Sequence, residues 1–188
     1  MFEVVNEGTR HMENNTITKF KWFWAWNDAA EESWLEEMSK KGYHLTSFGF
    51  PGFYNFVVSG PKHYVYRLDY QILKTRDKNE YFQLFKDAGW DHIGEMSGWQ
   101  YFRKEVRAGE TPEIFTDTES KVAKYKRLLA FLGILYCMNV ALFVSRVMDN
   151  NPYTWWTGIQ IVILIIILLM TYAILRLLLR VRQLKKLQ

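Results

Sequence analysis

The 188-residue chain carries 24 Lys and Arg against 20 Asp and Glu, with 49% hydrophobic and 17% aromatic residues. Its charge is uneven: residues 1–118 hold 14 basic and 18 acidic residues, net −4, whereas residues 119–188 hold 10 and 2, net +8. The basic balance therefore flanks apolar segments, where it meets anionic lipid headgroups, and is no nucleic-acid footprint; the single Cys137 excludes a disulfide framework or a thiolate metal cluster.

Taken in order, residues 1–18 read as a flexible N-terminal segment, with no apolar stretch long enough for a signal peptide. Residues 19–105 read as a duplicated strand-helix-strand-strand domain, since the chain matches itself at an offset of about 47 residues. A strand over Phe20–Trp26 puts Phe20, Trp22, Trp24 and Trp26 on one face, and one over Tyr64–Tyr70 does the same for Tyr64, Tyr66, Leu68 and Tyr70. Helices follow over Ala30–Lys41 and Asn79–Ala88, pairing Trp34 with Tyr81, Leu35 with Phe82 and Met38 with Phe85.

Asn27 or Asp28 can cap the first helix, with Glu31 and Glu32 near its positive end. Gly42 and Gly89 suit the left-handed position that ends a helix, and Tyr43 and Trp90 fold back from it. Pro51-Gly52 and Ser97-Gly98 are hairpin turns before strands Phe53–Ser59 and Trp99–Lys104. Six strands and two helices predict an α+β domain, an antiparallel sheet with helices on one face.

Residues 106–118 form a polar linker with Gly109 and Pro112, and Thr116-Asp117-Thr118-Glu119 has the form of a capping box. A juxtamembrane and first transmembrane helix is predicted over 119–148, and a second with a basic tail over 153–188. From Leu128 to Met148 only Arg146 is charged, and from Trp155 to Leu175 nothing is, so each 21-residue run spans about 30 Å as a helix. Twelve Ile, Leu or Val residues in the second favour insertion by roughly 4–7 kcal/mol.

The short turn over residues 149–154 makes the two helices antiparallel neighbours. Nine basic residues near one pair of ends, Arg176 and Arg180 among them, face Arg146 alone at the other. The positive-inside rule then puts both termini in the cytoplasm, as a multi-pass protein of the cell inner membrane. Tyr153, Trp155 and Trp156 read as an interfacial anchor, and Asn139 as a helix-pairing group reaching Gln160 or a second subunit.

Several stretches resemble a known grouping: Trp34-Leu35 to Gly42-Tyr43-His44-Leu45, Tyr66-Arg67-Leu68-Asp69-Tyr70, Asp87-Ala88-Gly89-Trp90 with Gly98-Trp99-Gln100-Tyr101-Phe102-Arg103-Lys104, and Glu113-Ile114-Phe115-Thr116-Asp117 to Lys126-Arg127. Over about residues 20–127 they are similar to bacterial proteins grouped as domain-of-unknown-function family 2812. That resemblance implies a cytoplasmic aromatic domain followed by membrane helices, a PadR-type transcriptional regulator encoded nearby, and no catalytic residue. In architecture, two tandem copies are similar to effector-binding domains of the gyrase-inhibitory-protein type, which implies an aromatic cleft for small, often cationic molecules.

A cleft between the copies would take Trp22, Trp24, Trp26, Tyr64, Tyr66 and Tyr70, with Asp69 or Glu95 adding charge; the competing reading is that this stripe is core. Arg67 and Asp69 read as a cross-strand ion pair on a solvated face, and Glu31, Glu32, Glu36 and Glu37 as a solvated helix face. His11, His44, His63 and His92 fall in no metal-binding spacing, and no nucleophile elbow or phosphate loop is present, so no cofactor or metal is expected. The chain is expected to be a non-enzymatic, membrane-anchored sensor or binding module for a small ligand or a transcriptional regulator. The alternative is a structural or pore-forming partner in a membrane complex, with the hairpin as the active part and its own homo-oligomer as one form.

Overall fold

The computed structural model describes residues 15–106, 118–148 and 154–186. The chain divides into two compact units, Met1–Ile114 and Phe115–Gln188. The first holds β1 (Thr16–Phe20), α1 (Asp28–Lys40), β2 (Tyr43–Gly49), β3 (Phe53–Val58), β4 (Tyr64–Tyr70), α2 (Thr75–Asp87), β5 (Asp91–Met96) and β6 (Trp99–Glu105). The second holds α3 (Thr118–Met148) and α4 (Thr154–Lys185).

The strands form two antiparallel three-stranded sheets, ordered β1-β3-β2 and β4-β6-β5, in place of the one sheet expected. The duplication is more regular than side-chain similarity shows. Both helices have 13 residues, starting at Asp28 and at Thr75, an offset of 47. The glycines after them, Gly42 at φ +85° and Gly89 at φ +80°, keep that offset. So do the bulges, between Leu45 and Ser47 in β2 and between His92 and Gly94 in β5. These bulged edges lie side by side, with Phe48 of β2 against Gly94 of β5 and its ring 3.9 Å from that of Tyr101. A bulge interrupts the regular row of backbone donors and acceptors, so side chains bridge the gap between the sheets.

Local chemistry explains the boundaries. Trp90 N–H bonds Phe85 O and Gly89 N–H bonds Lys86 O, a Schellman motif that folds the buried Trp90 back beside Phe85. Ser97 and Gly98, at φ +51° and +86°, make the two-residue turn joining β5 to β6. Asn27 occupies the N-cap of α1 without a side-chain hydrogen bond.

The first strand differs from expectation at both ends. It begins at Thr16, so residues 16–18 belong to the sheet and not to a flexible segment, and it stops at Phe20 instead of Trp26. Past Phe20 the chain turns, with Asn27 N–H bonding Trp24 O, and Trp24 and Trp26 stack 5.1 Å apart instead of alternating along a strand. At the other end of the domain, Val106 is packed in the core with Val65, Phe85, Trp90 and Phe102, so it is not linker. Gly109, Pro112 and the Thr116-Asp117 half of the capping box lie outside the described residues.

The acidic face of α1 is largely enclosed, against expectation. Strand β4 is a sheet edge, with one side not joined to another strand, and α1 packs along it. Glu32 accepts from Leu68 N–H at 2.8 Å, Glu36 pairs with Arg67 at 2.7 Å, and Glu31 is buried. Only Glu37 of the four is exposed. Arg67 thus pairs with the helix and not with Asp69, whose carboxylate is buried and accepts from Tyr81 Oη at 2.9 Å.

In the second unit, α3 and α4 are long and apolar enough to cross a membrane. Their contacts run antiparallel: Gln160 Nε2 bonds Arg146 O at 3.1 Å, and Asn139 Nδ2 reaches Met170 Sδ at 3.9 Å. Ala173, Leu177 and Val181 make the buried stripe of α4, spaced four apart on one face.

Candidate functional site: an aromatic pocket over a buried carboxylate

A cavity of about 280 Å³ opens in the first unit, lined by residues of both copies. Its walls are Trp22, Phe23, Trp24, Trp26 and Phe50 from the first copy and Leu68, Met96 and Trp99 from the second. The turned segment after β1 carries the tryptophans there, with Trp22 edge-on to Trp24 at 5.5 Å and Trp24 stacked on Trp26. Trp22 and Trp24 are 44% and 45% exposed, so part of each ring remains accessible, although Trp26 covers one face of Trp24.

Asp28 and Glu31, one turn apart at the start of α1, also line the cavity and are both buried. Tyr54 Oη and Tyr101 Oη each donate to Glu31 Oε1 at 2.7 Å. These tyrosines are repeat mates, 47 residues apart, so the internal symmetry of the domain brings two equivalent hydroxyls onto one carboxylate oxygen. The carboxylate itself has no such mate, because the corresponding position is Lys78.

Burial pushes the Glu31 carboxyl above its ordinary range; the hydrogen bonds from Tyr101 and Tyr54 pull it back, and the nearby Asp28 adds to the rise. Burial, followed by the charge of Glu31, raises both phenols, so Tyr54 and Tyr101 remain hydrogen-bond donors. Both phenols use Oε1, which leaves Oε2 as the other acceptor of the group. Aromatic faces above a desolvated carboxylate attract a cation by about 0.5–2 kcal/mol per ring in addition to the charge.

Of the expected cleft residues, Trp22, Trp24 and Trp26 line this cavity, and Tyr64, Tyr66, Tyr70, Asp69 and Glu95 do not. The Tyr64 ring lies under the Arg103 guanidinium and against His44. Tyr66 is buried with its hydroxyl accepting from Leu45 N–H at 3.4 Å, and Tyr70 is buried against Trp99. Glu95 is exposed, pairing with Lys78 at 3.1 Å and accepting from Gln100.

Sequence reasoning missed Glu31 as a pocket residue, along with Asp28, Phe50, Met96 and Trp99. The signal was present: Glu31 shares a helix face with Leu35 and Met38, at spacings of four and seven, so it interrupts an apolar stripe. In the helical pair, Asn139 bonds Leu135 O of its own helix at 2.8 Å and Gln160 bonds Arg146 O, so the two amides do not meet. Arg176 and Arg180 are exposed on α4; the Tyr153, Trp155 and Trp156 side chains lie outside the described residues.

Fold and site together define a duplicated α+β pocket domain followed by an apolar two-helix hairpin. The chain belongs to the family described as a protein of unknown function (DUF2812), which matches residues 27–137, more than half of its length. No curated protein and no solved structure matches it.

Proposed function

We propose that this is a non-enzymatic, membrane-anchored binding module whose front domain takes a small organic cation in the aromatic pocket. The observation that supports this reading is the buried Glu31 carboxylate among Trp22, Trp24, Trp26 and Trp99. An apolar pocket with a few polar or charged groups is the usual form of a small-molecule site, and the two acids here, Asp28 and Glu31, favour a cationic ligand. The chain's hairpin holds the domain at the cell inner membrane with both termini in the cytoplasm, where a bound ligand can alter engagement of a regulator of the PadR type.

Titrating the detergent-solubilised full chain with benzyltrimethylammonium and following tryptophan fluorescence tests the ligand class. Saturable quenching with a rise in melting temperature is expected, weaker for the uncharged shape match neopentylbenzene. Equal response to both compounds, or to neither, rejects a cation site. Orientation is checked by replacing Cys137 with Ser and Asn151 with Cys: a membrane-impermeant maleimide added to intact cells should label position 151.

A further inference from the structure

We infer that the aromatic end of the first unit is a lipid-docking surface, seated in the headgroup region of an anionic bilayer beside the pocket mouth. Five of the seven large apolar residues exposed on that unit, among the described residues, gather at this end: Phe20, Trp22, Trp24, Phe50 and Phe53. They form one patch, with Phe20 against Phe53 at 5.2 Å and Trp22 against Phe50 at 6.4 Å, joined through the Lys21 N–H to Gly52 O bond.

The chemistry of the patch selects its occupant. All five residues are aromatic and none is aliphatic: Trp22 and Trp24 carry the amphipathic rings that settle at the membrane–water boundary, and Phe20, Phe50 and Phe53 add apolar area beside them. Phe20 lies between Lys19 and Lys21 in the chain; strand alternation turns Lys19 to the other sheet face, over Tyr43, so Lys21 is the cation beside the patch that complements anionic headgroups. Lys21 Nζ lies 5.2 Å from the Phe23 ring centre and 5.0 Å from that of Trp34, so its charge sits beside the patch, on rings outside its five members.

A bilayer is also the partner closest in sequence. Only residues 107–117 separate Val106 from α3, at most about 40 Å of chain. A domain tethered over that distance meets the membrane at high effective concentration, so a modest patch suffices. The inference rests on the membrane anchoring proposed above. Because Trp22 and Trp24 belong to both patch and pocket wall, docking opens the pocket toward the interface, where apolar cations concentrate.

The test uses the full chain with Cys137→Ser, reconstituted in nanodiscs of mixed phosphatidylcholine and phosphatidylglycerol. Gly49→Cys carries a nitroxide beside Phe50, where a Cβ meets nothing within 4 Å, and Leu84→Cys is the control on α2, at a residue 66% exposed. Collision with oxygen relative to a water-soluble nickel chelate is expected to be several-fold higher at position 49 than at position 84. Trp22→Ser with Trp24→Ser should abolish the difference, and pure phosphatidylcholine should reduce it. Equal, water-like ratios in incorporated protein overturn docking alone. Spin–spin broadening between position-49 labels in discs holding two copies assigns the patch to self-association and overturns it as well. A chain that does not enter the discs rejects the anchoring and this inference together.

Discussion

Replacing Glu31 by Gln isolates the charge of the pocket floor from its shape. The amide oxygen still accepts from Tyr54 and Tyr101, whose hydroxyls now meet the Glu31 carboxylate at 2.7 Å. A cation about 5 Å from the carboxylate gains about 3 kcal/mol at an effective dielectric of about 20. Part of that gain is retained through the amide dipole and part is spent displacing the proton that burial favours. A net loss of about 1.5–2.8 kcal/mol corresponds to a roughly 10–100-fold weaker Kd for benzyltrimethylammonium. Neopentylbenzene should bind both forms alike.

The pH dependence has a defined sign. Because burial raises the Glu31 pKa in the folded protein, its contribution to stability is complete below the ordinary carboxylate range and is lost as pH rises through the raised value. Cation affinity should rise over the same window, as the carboxylate ionises. Glu31→Gln should flatten both trends and leave melting at pH 8 equal to or above that of the parent. Fluorescence titrations and thermal melts from pH 4.5 to 8 measure both; unchanged cation affinity in the variant, or equal losses for cation and neutral match, refutes the reasoning.

Leu35 is fully buried, and Leu35→Ala should cost about 3 kcal/mol, lowering the front domain's melting by roughly 12–24 °C in calorimetry. Arg67→Ala should cost about 1.5–3 kcal/mol in urea melts, because it strands Glu36 and Glu32 against the edge of β4. Lys78→Ala, at an exposed pair with Glu95, should change stability by less than about 0.5 kcal/mol in the same assay. Gly98→Ala should destabilise by about 1–3 kcal/mol, since its φ is +86° and a Cβ would sit 2.9 Å from Tyr70 Cε2; Gly49→Ala, with open space, serves as the neutral comparison.

Periodic information was readable without coordinates. The 47-residue repeat, the helix ends at Gly42 and Gly89, and the two apolar helices follow from local pattern, since helix ends and apolar runs are written in contiguous residues, whereas the second helix begins at Thr75 and not at the Asn79 read from the sequence. The end of β1 was not readable, because alternating aromatics suit a strand equally well, and what ends this one is the turn that stacks Trp24 on Trp26.

Sequence by itself determined the duplicated α+β class and the apolar hairpin. Tertiary structure decided which aromatics face a cavity and which are core, and it separated Trp22, Trp24 and Trp26 from Tyr66 and Tyr70. It also decided the fate of four carboxylates on α1. Glu31, Glu32 and Glu36 are drawn inward because β4 is a sheet edge whose Leu68 N–H donates to Glu32 and whose Arg67 pairs with Glu36, and because Tyr54 and Tyr101 converge from separate sheets. Such long-range pairings carry no mark in any one segment, so only the assembled domain turns an acidic helix face into the floor of a pocket.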